Sequence, residues 1–216
     1  MDEPGFLRAT RESYDALADD YAEHFRDELA GKPLDRAVLG LFAELVRSTG
    51  DGPVLDVGSG AGHVTAHLRR LGLAVSGVDL SPGMVAAASV RYPEVTFAAG
   101  SMTALDVADL SLAGLVAYYS TIHVPDDDLP GVFTGFHRAL APGGYLLLTF
   151  QVGDEPSRLS EALGHDIALD FHRRRPDDVA ALLTTAGLDV RIRTERAADR
   201  GERTSHAYLV ARRPAA

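Results

Sequence analysis

The side chains that could carry chemistry gather around one turn. Asp56 stands two residues before Gly58, and Gly58, Gly60 and Gly62 alternate through Val54-Leu55-Asp56-Val57-Gly58-Ser59-Gly60-Ala61-Gly62. Glycine lets the chain bend sharply and lets a ligand lie against the peptide groups. A second carboxylate, Asp79, closes the run Ala74-Val75-Ser76-Gly77-Val78-Asp79. An acidic residue at that distance from a glycine turn is placed to accept hydrogen bonds from ribose hydroxyls, or else it simply caps the next helix. His63 occupies the third-glycine place of the hydride-transfer fingerprint G-x-G-x-x-G, so the match to a dinucleotide turn is incomplete. The free N–H groups of a helix start favour an anionic or polar ligand group.

Hydropathy patterns define the elements that must position these groups. Val54, Leu55 and Val57 are strand formers with no polar face, as in the middle of a parallel sheet. From His63 to Leu71 the pattern is helical, and Gly72 ends it. Ser81 makes an N-cap with Pro82 at the first helical position, which sets Asp79 and Leu80 at the carboxyl edge of the sheet, beside the glycine turn. Further strands are expected at 95–98, 112–119 and 145–151, with Asp126 to Asp128 starting a helix whose dipole they complement. Upstream, Tyr14, Leu17, Ala18, Tyr21 and Phe25 share one face of a helix over 9–29, and a second, supporting helix spans 34–47. The stretch 152–175 is the least regular, too irregular for core, and its Arg173 to Arg175 run reads as solvated. Pro176-Asp177-Asp178 opens a helix that Gly187 closes. Two late strands, 188–195 and 205–212, form a hairpin about Asp199-Arg200-Gly201.

At this point the chain resembles the class I S-adenosylmethionine-dependent methyltransferases. Residues 54–62 look like their first motif, Gly77-Val78-Asp79-Leu80-Ser81-Pro82-Gly83-Met84 like their second, and 136–148 like the helix-turn-strand segment that follows. The resemblance is close over 50–152 and loose in the flanks. It implies an α/β, Rossmann-like, doubly wound and mostly parallel seven-stranded sheet, with an antiparallel edge strand from the C-terminal hairpin. It also implies S-adenosylmethionine as cofactor, held by Asp56, Gly58, Gly60, Asp79 and Leu80. Tyr21, with Tyr14 second and toward the substrate, closes over the methionine end. Ser101 replaces the carboxylate that meets the adenine amino group in the family, and a hydroxyl bonds the ring edge more weakly. Met102 adds a soft apolar surface against the ring. The backbone at Tyr119 touches the cofactor amino group, and the loop after it faces the substrate.

The activity so implied is in-line methyl transfer to a small-molecule acceptor, with oxygen, nitrogen or carbon as the nucleophile. His123, in that loop, is the candidate general base, because imidazole takes a proton near neutral pH. The plainer reading is a histidine satisfied by backbone. His165 and His172, in the segment that shapes the acceptor pocket, are candidate substrate contacts. No pair within that segment has zinc-motif spacing, and no metal is expected. The whole of 1–216 reads as one domain: support and lid helices in 1–48, a cofactor core in 50–152, an acceptor-shaping insertion in 153–175, and a helix and hairpin in 176–216.

Composition limits the partners. The 21 basic and 31 acidic residues give a formal charge of −10, which disfavours nucleic acid and anionic membrane surfaces. There is no cysteine, so neither disulfide nor thiolate metal site is available. Met1-Asp2-Glu3-Pro4 lacks a basic and apolar leader and no later run has the length of a membrane span, which suits a cytoplasmic monomer or homodimer. The competing readings are a nicotinamide oxidoreductase, opposed by His63 and the terminal hairpin, and a non-catalytic module that keeps the cofactor fold for binding.

Overall fold

A computed structural model describes residues 3–199 and 201–215. Arg200, in the expected terminal turn, and Met1 and Asp2 lie outside the described residues. Nine strands and six α-helices occur among the described residues. The chain begins with α1 (Gly5–His24) and α2 (Pro33–Ser48), then alternates β1 (Val54–Val57), α3 (His63–Arg70), β2 (Val75–Asp79), α4 (Pro82–Arg91) and β3 (Phe97–Ala99). It continues with β4 (Leu112–Tyr118), α5 (Leu129–Ala139) and β5 (Leu140–Gln151). The hairpin β6 (Ser157–Ala162) and β7 (His165–Phe171) follows, then α6 (Pro176–Thr185), β8 (Asp189–Arg196) and β9 (His206–Arg212).

Seven strands form one sheet in the order β3-β2-β1-β4-β5-β9-β8. The pairs from β3 to β5 are parallel, and β9 is antiparallel to both β5 and β8. The antiparallel strand therefore lies one place inside the sheet, not at its edge as the sequence reading had it. β8 turns back to become the edge strand, and its residues alternate between exposed and half-buried.

Alternate residues of the inner strands feed two cores. Val54, Val116 and Leu147 meet Phe42 and Val46 of α2 and Leu68 of α3 on one face. Leu55, Leu115, Leu146 and Leu148 meet Phe133 and Phe136 of α5 and Leu183 of α6 on the other. Apolar burial on both faces is what a parallel sheet requires, and it fixes β1, β2 and β4 so that their carboxyl ends share one rim.

Several boundaries differ from the sequence reading, among them the start of β5, at Leu140 instead of Tyr145. The first helix ends at His24, and a single 3-10 turn over Glu28–Gly31 redirects the chain so that Pro33 can start α2. Val95 is buried, but its N–H closes a turn on the Tyr92 carbonyl, which delays β3 to Phe97. α5 starts at Leu129, because the Asp126 carboxylate bonds Arg174 instead of facing the helix. The stretch 152–175, expected to be irregular, contains a β-hairpin closed by Leu163 and Gly164, both at positive φ as a two-residue turn demands. In β7 Ile167 and Leu169 point inward at strand period and pack on Leu17 of α1, so this segment carries a small core of its own.

Candidate active site

At the carboxyl rim, β1 runs into the glycine turn with Gly58, Gly60 and Gly62 at φ of 72°, 53° and 83°. The amides of Gly58 and Ser59 both donate to the Val78 carbonyl, at 2.8 and 3.0 Å, which bends the turn onto β2. A Cβ on Gly58 would lie 2.3 Å from the Cβ of Ser120, so the close approach of β1 and β4 here admits only glycine. Asp79 ties the rim together, its carboxylate accepting from Gly60 N at 2.7 Å and Ser81 N at 2.9 Å. Ser81 caps α4 through Met84 N, as its sequence position predicts. Asp79 thus braces turn and helix start and also lines the cavity above them.

That cavity measures about 400 Å³ and is lined from α1, the glycine turn, the ends of β2, β4 and β5, the β6–β7 hairpin and His206. Size and mixed lining suit a small organic ligand. The Asp56 side chain is buried; Oδ2 accepts from Thr65 Oγ1 at 2.6 Å, while Oδ1 has no partner among the described residues. Ser59 Oγ is buried and equally unpartnered. Burial pushes the Asp56 carboxyl up to about 6, with the Thr65 hydrogen bond acting the other way. Buried polar atoms without partners are costly, and two of them beside open peptide groups at a helix start fit a ligand with a cationic or hydrogen-donating head.

α1 roofs this turn. Asp15 Oδ1 accepts from Ser81 Oγ at 2.6 Å and from Gly83 N at 2.9 Å, docking α1 on the start of α4. Tyr21 lies over Gly60, its ring 3.8 Å from where a Cβ on that glycine would stand, and it packs on Phe25 and edge-on to Tyr14. His123 is buried, with Nδ1 2.9 Å from the Asp170 carbonyl and Nε2 2.8 Å from Tyr14 Oη. A carbonyl only accepts, so Nδ1 carries the proton and Nε2 accepts from the tyrosine. Burial lowers the His123 pKa to about 4.

The remaining candidates fall on two sides of the cavity rim. Leu80, Ser101 and Met102 line it, and the Met102 methyl would come 3.5 Å from a Cβ on Gly58. Ser101 Oγ is engaged with Thr103, accepting from its amide at 3.2 Å. Tyr119 adopts a φ of 49°, rare for a bulky residue, with its N–H bonded to Thr149 and its hydroxyl 2.6 Å from His206 Nδ1.

His165 and His172, expected as substrate contacts, are not among the residues that line the cavity. His165 Nε2 bonds Asp20 on the outer side, 2.8 Å away, and His172 is fixed by its backbone N–H to the Ile122 carbonyl. Leu159, Leu169 and Phe171 from the same hairpin line the cavity instead. Arg174 is buried rather than solvated, and its guanidinium holds the carbonyls of Thr121 and Val124.

The sequence reading missed Glu28, Lys32, Gln151 and His206, all of which line the cavity. Lys32 Nζ bonds Glu28 at 2.6 Å and stands 5.8 Å from the centre of the Tyr119 ring. The register Gln151↔His206 between β5 and β9 would have revealed the last two, but strand pairing is not visible in a single sequence.

Residues 54–144 match the family described as methyltransferase domain. A demethylmenaquinone methyltransferase of Chlorobaculum parvum is 31% identical over 139 residues, which cover 62% of this chain and 56% of that one. The chain thus spans about half the length of that relative. A Burkholderia thailandensis 1,6-didemethyltoxoflavin-N1-methyltransferase, solved with S-adenosylhomocysteine, superposes with a TM-score of 0.70 at 21% identity over 99% of this chain and 93% of that one. The [4+2]-cyclase SpnF superposes with a TM-score of 0.72 at 18% identity, over 100% and 99% of the two chains. At such identity the two structures speak for the fold alone, and SpnF shows that the fold also carries other chemistry. By its glycine turn and the matched segment, which covers less than half of the chain, the protein is similar to the methyltransferase domain family.

Proposed function

We propose that the protein transfers the methyl group of S-adenosylmethionine to a small-molecule acceptor. The observation that carries this is the pair of buried, unpartnered polar atoms, Asp56 Oδ1 and Ser59 Oγ, beside a glycine turn that Asp79 braces from below. In this reading Asp56, Gly58, Gly60 and Tyr21 hold the methionine end, Asp79 and Leu80 the ribose, and Ser101 and Met102 the adenine. The bound cofactor supplies an electrophilic methyl on a sulfonium, and the protein aligns acceptor and methyl on one axis. The division of labour follows: a cofactor core in 50–152, a roof from α1 and the 153–175 hairpin, and a scaffold in 176–216. Demethylmenaquinone and 1,6-didemethyltoxoflavin, named for two similar proteins, both carry a ring system, which supports an acceptor of that kind.

Among the described residues no helix is long and apolar enough to cross a membrane. A cytoplasmic monomer or homodimer belongs to the same proposal, and size-exclusion chromatography with light scattering tests the state. The function itself is tested by incubating the protein with methyl-labelled S-adenosylmethionine and a panel of phenols, amines and carboxylic acids. Label in an acceptor and stoichiometric S-adenosylhomocysteine support the reading; cofactor binding without transfer to any member favours a binding module.

A further inference from the structure

Tyr119, the residue after β4, and His206, the first residue of β9, both line the cavity, and neither the glycine turn nor Asp79 bonds their side chains. Tyr119 Oη lies 2.6 Å from His206 Nδ1, and a Glu202 carboxylate oxygen lies 3.7 Å from His206 Nε2. With the Glu202 carboxylate on the Nε2 side, the tautomer protonated at Nε2 leaves Nδ1 to accept from the Tyr119 hydroxyl, whose other neighbour is Tyr208 Oη at 3.5 Å. Arg196 grips Glu202 at 2.6 and 2.9 Å and holds its carboxyl down to about 2, which keeps it charged. The backbone of Tyr119 is left-handed, and strain of this kind in a bulky residue is tolerated where the surrounding structure fixes a side chain for use. Gln151 Oε1, paired in register with His206, is buried with no partner among the described residues and awaits a donor.

His123, in contrast, has both nitrogens committed, one to Tyr14 and one to the Asp170 carbonyl. Its Nδ1 faces a carbonyl, whereas His206 Nε2 faces a carboxylate that holds an imidazolium.

We propose that Tyr119 is the catalytic group that receives the acceptor's proton, relaying its own to His206 under the charge of Glu202, and that the acceptor is a small phenol or enol. The proposal rests on the methyltransferase reading above. As the bond from the acceptor oxygen to the methyl carbon forms, the methyl–sulfur bond breaks and its electron pair stays on sulfur. The acceptor proton passes to Tyr119 Oη, the Tyr119 proton passes to His206 Nδ1, and the resulting imidazolium faces Glu202. The charged and titratable groups around His206 are Tyr119, Glu202, Arg196, Lys32 and Asp35, and those around Tyr119 are His206, Tyr118, Tyr208, Lys32, Asp35 and Arg196. The aromatic walls formed by Tyr21, Phe25 and Tyr119 suit a planar ring.

The test loads the full protein with S-adenosylhomocysteine and follows the ionisation of bound 4-nitrophenol by its visible absorbance across pH. In the wild type the bound phenol ionises about one pH unit below the free compound, because the relay stabilises its anion. With S-adenosylhomocysteine kept saturating, Tyr119→Phe abolishes that shift and His206→Gln removes most of it. A phenol that titrates alike in wild type and Tyr119→Phe overturns the proposal. So does a shift that survives in His206→Gln, or a phenol that fails to bind the loaded wild type. A wild type that binds no S-adenosylhomocysteine overturns the methyltransferase reading as well, and this is measured separately before the phenol is added.

Discussion

Tyr14 and His123, 109 residues apart in sequence, are joined by a 2.8 Å hydrogen bond in which the phenol donates to the imidazole. The bond fastens α1 to the loop after β4 across the cavity, and the Asp170 carbonyl extends it to the hairpin. Replacing Tyr14 with Phe leaves His123 Nε2 buried without a donor and costs about 1–2 kcal/mol, read from urea unfolding at neutral pH.

The titration of His123 has a definite sign. Its folded-state pKa of about 4 lies below the 6.5 of a free histidine, so its contribution to stability is complete above pH 6.5 and is lost as pH falls toward 4. His123→Gln flattens the fall in unfolding midpoint over that window. Because His123 Nδ1 faces a carbonyl and not a carboxylate, the variant leaves the shape of the pH–rate profile of methyl transfer intact.

Asp56 runs the other way. Its folded-state pKa of about 6 lies above the 3.8 of a free aspartate, so its favourable contribution is present below pH 3.8 and is lost as pH rises through about 6. Asp56→Asn therefore stabilises the ligand-free protein at pH 8, by roughly 2–3 kcal/mol at most, and weakens S-adenosylhomocysteine binding. Thermal unfolding at pH 8 and at pH 4, with and without the ligand, measures both effects.

Asp15 shows how the roof is held. It caps α4 from another helix, bonding Ser81 Oγ and Gly83 N. Asp15→Ala costs about 1 kcal/mol of stability, the usual loss of a helix cap. It also speeds hydrogen exchange in α1 while β1 and β4 stay protected, an outcome that mass spectrometry resolves by segment.

Arg174 anchors the loop that carries His123. Its buried guanidinium bonds the carbonyls of Thr121 and Val124 and the Asp126 carboxylate. Arg174→Met strips two buried carbonyls of their donor and costs about 3 kcal/mol, observed as a lower urea midpoint.

The central strands and the glycine turn were legible in the sequence because their signals are local. An unbroken apolar run, glycines at alternate places, and Ser81-Pro82 at a helix start each act within a few residues. The hairpin over 157–171 was not, because exposed Asp166 and Asp170 alternate with buried Ile167 and Leu169 in a run that also holds His165 and His172. Its polarity read as loop until Leu17 supplied the opposing apolar face. Arg174 was misread for the same reason, since its neighbours Arg173 and Arg175 are less buried and the carbonyls it serves lie some fifty residues upstream. His206 came to the cavity only through pairing with β5, a long-range register that no local pattern encodes.

The account turns on an adenosyl ligand seated over Gly58 and Gly60, and calorimetric titration into the wild-type protein tests it most directly. S-adenosylhomocysteine is predicted to bind one to one while NADH produces no heat of binding. Saturable binding of NADH, or no binding of S-adenosylhomocysteine at neutral pH, contradicts it.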